Sequence, residues 1–198
     1  MRVLGLVLAG GRATRMGGVD KGLQLFDGGP LALRAVKRLS PQVDSVVLSA
    51  NRSFEAYKTI LPEGVSVLPD VRPGFPGPLA GLEAALSSVP EEDRESTWVV
   101  TVPCDCPFFP EDLVQRLSAG IVEGAVAAVA STVGKLQPSF FLVRADQLSS
   151  LKAYLDADGH RLRAWLESIG AVPVAFEDER AFLNCNTLEE LRQAQLKA

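Results

Sequence analysis

The chain has 198 residues, 47% of them hydrophobic, and its 20 Lys+Arg against 24 Asp+Glu leave a net charge of −4. A chain of this size buries roughly 70 to 75% of its unfolded surface, so neither disorder nor a scaffold stapled by disulfides or metal is the expectation. No run of five or six like charges points to nucleic acid, the single histidine, His160, excludes a His-rich zinc site, and three cysteines, an odd number, suit a reducing cytoplasm.

The first apolar run, Val3 to Ala9, is too short to span a membrane and leads into glycines and arginines rather than a cleavage site, so neither a membrane nor an export signal is expected. It reads as a buried strand, Val3 to Leu8. Helical spacing follows at Leu31 to Leu39, then a strand at Ser45 to Ala50, a helix at Phe54 to Ile60 and a strand at Val65 to Leu68. Further along come a helix at Leu79 to Val89, a strand at Thr97 to Val102 and a helix at Glu111 to Leu117. The remaining elements are strands at Ala125 to Ser131, Phe140 to Val143 and Val172 to Phe176, and helices at Arg161 to Ile169 and Leu188 to Leu196. Most of the strands are continuous and β-branched rather than alternating, as in parallel sheets covered on both faces. With no linker or repeat to divide it, the chain is predicted to form one domain over residues 1–198, an α/β three-layer αβα sandwich with a mostly parallel, doubly wound, Rossmann-like sheet. Ligands then belong at the carboxyl ends of its strands.

The most informative segment lies directly after the first strand, where Leu8-Ala9-Gly10-Gly11 is followed by Arg12, Arg15, Gly17, Gly18, Asp20 and Lys21. Glycines let backbone N–H groups approach a phosphate, and the cations supply charge-assisted hydrogen bonds to its oxygens. The segment closes on neither the Gly-Lys-Ser/Thr of a P-loop nor the Gly-x-Gly-x-x-Gly of dinucleotide folds. Asp105 follows another buried strand and so falls on the same edge; a carboxylate facing a polyphosphate needs a hard cation between them, and Mg²⁺ binds through one or two carboxylates plus phosphate oxygens. Asp105 is therefore the candidate metal ligand. Cys104 and Cys106 flank it and read as strand-end packing.

Asn51 and Asp70 each follow a strand and could read a base or ribose, although both residue types are also common in turns. The Gly77-Pro78-Leu79-Ala80-Gly81 stretch opens a helix whose first N–H groups could face an anion or serve only as its start. Asn184 and Asn186 could touch a substrate or shape the turn before Leu188, and the cations of His160-Arg161-Leu162-Arg163 could meet a phosphate or form a solvated face.

Taken in order, Leu8-Ala9-Gly10-Gly11, Arg15-Met16-Gly17 with Asp20-Lys21, Ser49-Ala50-Asn51-Arg52, Pro76-Gly77-Pro78-Leu79-Ala80-Gly81, Pro103-Cys104-Asp105-Cys106-Pro107 and Asn184-Cys185-Asn186-Thr187 resemble the molybdenum cofactor guanylyltransferases within the nucleotidyltransferase superfamily. The resemblance implies transfer of GMP from Mg-GTP to the phosphate of the molybdenum-pterin cofactor, with release of pyrophosphate. Arg15, Lys21 and Asp105 would then be catalytic and Asp105 would hold Mg²⁺. The implied nucleotide and substrate contacts are Leu8, Ala9, Gly10, Gly11, Lys21, Asn51, Asp70, Gly77, Asp105, Asn184 and Asn186. It places the nucleotide in the N-terminal part and the acceptor in the C-terminal part. It further implies a cytoplasmic monomer or weak homo-oligomer, with transient partners that deliver or receive the cofactor and no role for nucleic acid. Gln137 stands where related enzymes carry histidine, which leaves no acid–base role there. A cytidylyltransferase would use the same fold, although Gly10 beside Gly11 modestly favours GTP over the Ala-Ala-Gly of cytidylyl relatives; a nucleotide-binding adaptor would need the glycine loop but not Lys21 and Asp105 together.

Overall fold

The computed structural model describes residues 1–10, 20–72, 77–185, 189–190 and 193. From the first strand, β1 (Arg2–Leu8), the chain reaches a small antiparallel hairpin, β2 (Leu25–Phe26) and β3 (Gly29–Pro30), and then α1 (Leu31–Leu39). Next come β4 (Ser45–Ser49), α2 (Phe54–Ile60), β5 (Ser66–Leu68), α3 (Pro78–Ser87), β6 (Thr97–Pro103) and α4 (Leu113–Ala119). The second part contains β7 (Ala127–Thr132), β8 (Lys135–Arg144), α5 (Leu148–Asp156), α6 (Leu162–Ser168) and β9 (Val172–Phe176).

Seven strands form one sheet in the order β5-β4-β1-β6-β8-β7-β9. All pair in parallel except β8, which runs antiparallel between β6 and β7. The predicted doubly wound sheet is thus present, with one reversed strand that a β7–β8 hairpin inserts. Alternation along the strands feeds two cores. Val3 and Val7 of β1 with Trp98, Val100 and Val102 of β6 pack against α1 and α4, while Leu6 and Val99 pack against α3, α5 and α6 through Leu82, Leu86, Leu151 and Trp165. Every residue of β6 is buried, which explains its continuous apolar sequence.

All seven predicted sheet strands are present, but β8 begins at Lys135 rather than Phe140, so Gln137, Pro138 and Ser139 lie within the strand. The helix expected from Glu111 starts at Leu113, because Pro110 to Asp112 make a turn in which Leu113 N–H donates to the Pro110 carbonyl at 3.3 Å. Helix α5 carries no expectation from the sequence reading above, and of the helix expected at Leu188 to Leu196 the described residues 189, 190 and 193 are helical. No helix among the described residues is long and apolar enough to cross a membrane.

The strand order fixes where a ligand can sit. From β1 the chain moves outward to β4 and β5, then returns past β1 to β6 on its other side. The carboxyl ends of β1 and β6, in register at Leu8 and Pro103, therefore flank the point where the winding reverses.

Candidate active site

A cleft of about 850 Å³ opens above that point. Parallel pairing delivers its floor: Ala9 N–H donates to the Ser49 carbonyl at 2.9 Å, and Cys104 N–H to the Leu8 carbonyl at 3.0 Å, so the ladder continues one residue beyond each strand before the chains diverge. Of the residues singled out from sequence, Leu8, Ala9, Gly10, Lys21, Asn51, Asp70, Gly77, Asp105 and Asn184 all line this one cleft. Gly11, Arg15 and Asn186 lie outside the described residues.

On the floor, the Lys21 ammonium contacts the Asp105 carboxylate, bringing together residues 84 apart in sequence. Both side chains are largely sheltered, at 26% and 13% exposure, so their attraction is less screened than that of a surface pair. The Asp105 carbonyl is occupied as well, accepting from Cys185 N–H at 2.9 Å. One ionised carboxylate sheltered beside a cation fits Mg²⁺ held mainly by substrate phosphates and water. No three His, Cys, Asp or Glu among the described residues come together as a metal cage.

At the rim, Asn51 and Asp70 grip each other twice: Asn51 Nδ2 donates to Asp70 Oδ2 at 2.5 Å, and Asp70 N–H donates to Asn51 Oδ1 at 2.9 Å. Partial burial raises the Asp70 carboxyl above its ordinary value, and the hydrogen bond from Asn51 opposes that shift without cancelling it. The loop carrying Asp70 is anchored by Arg72, whose Nε donates to both carboxylate oxygens of the buried Glu83 on α3, at 3.0 and 2.8 Å. A further bond from Arg72 reaches Asp156 of α5 at 2.5 Å. These contacts raise the guanidinium above its usual range, so it stays charged throughout.

Two glycines let α3 approach this edge. Gly77 begins the helix at φ 154°, ψ 173°, a region essentially closed to other residues. At Gly81 a Cβ would lie 2.4 Å from Ser49 Oγ and 2.9 Å from Ser49 Cβ, so the helix can rest on the end of β4 only without a side chain there.

Residues that sequence reasoning left without a role also line the cleft. Asp20 is buried, with Oδ2 3.3 Å from Arg52 Nε, so the end of the glycine segment is tied to the residue after Asn51. The signal was adjacency to Lys21 and Asn51, too local to assign by itself. Ser139 enters because β8 extends further than predicted, and its carbonyl accepts from Thr101 Oγ1 at 2.9 Å. Gln137 is turned to Thr132 Oγ1 at 2.8 Å and does not line the cleft. Neither do His160, Arg161 and Arg163, whose cations therefore take the solvated alternative; Arg163 pairs with Glu167 at 2.8 Å on the exposed face of α6.

The cysteines form no disulfide and are buried. Burial pushes the thiols of Cys104 and Cys106 upward, and the neighbouring Asp105 charge adds to the shift, so both stay protonated. Cys104 lines the cleft floor. Cys106 was expected only to pack, yet its Sγ lies 2.6 Å from Asn184 Oδ1 and 3.7 Å from the Phe182 carbonyl.

A cleft at the reversal point of a doubly wound sheet, with an ammonium and a carboxylate on its floor, is suited to nucleotide phosphates, and the fold is accordingly that of a nucleotide-handling α/β protein. Residues 5–173 match the MobA-like NTP transferase domain, and the chain belongs to that family of nucleotidyltransferases. It is 46% identical over 198 residues to a molybdenum cofactor guanylyltransferase of Bordetella pertussis, covering 98% of this chain and 96% of that one. It is 45% identical to the enzyme of the same name from Ralstonia nicotianae, over 96% of this chain and 95% of the relative. Among solved structures, molybdopterin-guanine dinucleotide biosynthesis protein A from Archaeoglobus fulgidus superposes with a TM-score of 0.75 at 20% identity, over 98% and 97% of the two chains. A 4-diphosphocytidyl-2C-methyl-D-erythritol synthase from Anaerococcus prevotii gives 0.76 at 13% identity, over 99% and 97%. At those identities the structural likeness establishes the fold.

Proposed function

We propose that the protein transfers GMP from GTP to the phosphate of the molybdenum-pterin cofactor. The observation that carries this reading is the Lys21–Asp105 pair on the cleft floor, in a chain that matches molybdenum cofactor guanylyltransferases over nearly its whole length. In the reaction an oxygen of the acceptor phosphate attacks the α-phosphorus of GTP, a P–O bond forms there, and the bond to the β-phosphate oxygen breaks with its electron pair leaving on pyrophosphate. The attacking oxygen is already anionic near neutral pH, so no residue needs to remove a proton. What the protein supplies is alignment and charge balance.

Each residue's part follows from its place. Asp105 would hold Mg²⁺, which when bound supplies positive charge to the phosphate oxygens. Lys21, now paired with Asp105, is placed to exchange that carboxylate for phosphate oxygens. The Gly10 backbone, continued by Gly11 and Arg15 in sequence, cradles the triphosphate, with Leu8 and Ala9 lining the cleft beside it. The pair of hydrogen bonds between Asn51 and Asp70 holds a carboxylate as an acceptor for the ring N–H and exocyclic amine of guanine. The N-terminal strands β1, β4 and β6 thus carry the nucleotide, and the wall formed by Ser139 and Asn184, with Asn186 beyond it in sequence, receives the pterin.

The test is transfer to the phosphorylated pterin with GTP, CTP or ATP, each with and without Mg²⁺, followed as pyrophosphate release and dinucleotide formation. Mg²⁺-dependent turnover confined to GTP is expected. A preference for CTP would make the protein a cytidylyltransferase, and nucleotide binding without turnover would make it an adaptor; either result overturns the proposal.

A further inference from the structure

Residues 182–185 return from β9 and lie against the loop that carries Asp105. Phe182 is buried between Phe140 and Phe176, with ring centroids 4.9 and 5.1 Å away, and Cys185 N–H is held by the Asp105 carbonyl. Between these anchors stands Asn184, an exposed side chain on the cleft wall. An exposed asparagine ordinarily samples several rotamers and both orientations of its amide. Here the amide oxygen is met from behind by the thiol of Cys106, which is fully buried and does not line the cleft.

We propose that Cys106 is a positioning residue whose thiol, by donating to Asn184 Oδ1, turns the two N–H donors of Asn184 toward the cleft to receive an oxygen of the acceptor substrate. The inference rests on the reading of the cleft as a nucleotidyl-transfer site. A protonated thiol has a single S–H donor with two acceptors in reach, Asn184 Oδ1 at 2.6 Å and the Phe182 carbonyl at 3.7 Å, and donation to the nearer one leaves the Asn184 NH₂ facing outward. With the oxygen engaged on the protein side, the amide presents donors to the ligand, suited to a phosphate or carbonyl oxygen and unsuited to a cation. A sulfur that only filled space would not be rescued by the smaller hydroxyl of Cys106→Ser, whereas a sulfur that donates is replaceable by a hydroxyl and not by the bare hydrogen of Cys106→Ala.

The experiment compares the wild type with Cys106→Ala, Cys106→Ser and Asn184→Ala in the whole protein. Steady-state transfer with Mg-GTP and the phosphorylated pterin gives the acceptor KM, and calorimetry gives the GTP Kd. In parallel, NMR of ¹⁵N-labelled protein follows the side-chain NH₂ of Asn184, assigned by its disappearance in Asn184→Ala. Cys106→Ala is expected to raise the acceptor KM about 5- to 20-fold, as for loss of one oriented hydrogen bond, with the GTP Kd within about twofold of wild type. Cys106→Ser is expected to restore the KM, and Asn184→Ala to add nothing further in the Cys106→Ala background. The Asn184 resonances should shift in Cys106→Ala and return in Cys106→Ser. The proposal is overturned if Cys106→Ala leaves the acceptor KM and the Asn184 resonances unchanged, if Cys106→Ser behaves like Cys106→Ala, or if the GTP Kd rises in step with the acceptor KM. Absence of transfer by the wild type would instead overturn the guanylyltransferase reading, while the resonances would still report whether Cys106 holds Asn184.

Discussion

Asp105 and Asp70 stand in the same cleft with the same side chain, yet the protein holds them by opposite means. The floor carboxylate is met by an ammonium, whereas the rim carboxylate is met by a neutral amide whose oxygen in turn accepts from the Asp70 N–H. An ion pair balances charge, so the floor can exchange one cation for another without ever exposing a bare carboxylate. An amide clasp fixes direction and leaves the charge uncompensated, which suits the proposed acceptor for the neutral N–H edge of a base. Burial accordingly raises Asp70, a shift that its amide partner does not cancel. The contrast separates a carboxylate held by charge balance from one held by direction.

The largest effect is expected on the floor. Asp105→Ala should lower kcat by about 10³-fold or more with the circular dichroism spectrum unchanged, because it removes the carboxylate proposed to hold Mg²⁺. Substantial turnover by this variant would remove the distinction between floor and rim. Lys21→Met should cost about 10²-fold in kcat/KM. It should also lower the Mg²⁺ concentration needed for half-maximal turnover, since Asp105 then has no ammonium to exchange; a raised requirement would show that Lys21 does not compete for that carboxylate.

At the rim the expected loss is in binding. Asp70→Asn should weaken GTP about 10- to 50-fold, the worth of hydrogen bonds to a charged acceptor, with kcat at saturation near wild type. The wild-type affinity should also fall about tenfold per pH unit once the pH drops below the raised Asp70 value, and Asp70→Asn should abolish that dependence. Stability runs the other way: a carboxyl raised by folding binds its proton more tightly in the folded protein, so its contribution is complete below the unfolded value and is lost as pH rises through the folded one. Calorimetric titrations and melting curves over the acid range check both signs. The smallest effect concerns the frame beneath the rim. Gly81→Ala must displace Ser49 or α3 and should cost about 1 to 3 kcal/mol of stability, measured by urea unfolding.

Much of this arrangement is legible in the sequence because it depends on strand ends. Buried parallel strands announce themselves as continuous apolar runs, and the residues just beyond them, Gly10, Asn51, Asp70 and Asp105, must share one edge if the sheet is parallel. What escaped depends on signals of other kinds. The β2–β3 hairpin turns on Asp27-Gly28, a strong hairpin dipeptide, but its two-residue strands carry no periodicity. Helix α5 buries Leu148, Leu151 and Leu155 at helical spacing, yet its polar intervening residues dilute the pattern. The start of β8 is polar and contains Pro138, a residue that argues against a strand, and its pairing with β7 shifts register between Val129 and Ser131. The contact between Cys106 and Asn184 spans 78 residues and has no local trace at all.

That last contact, with the bond from Cys185 to Asp105, bears on the order in which the protein is made. Strands β1, β4, β5 and β6, which supply the floor and the rim, are all complete by residue 103, whereas the wall that clasps the Asp105 loop arrives some eighty residues later. During synthesis the strands beneath the floor therefore emerge first, and the clasp on the Asp105 loop can close only after residues 184 and 185 have been added.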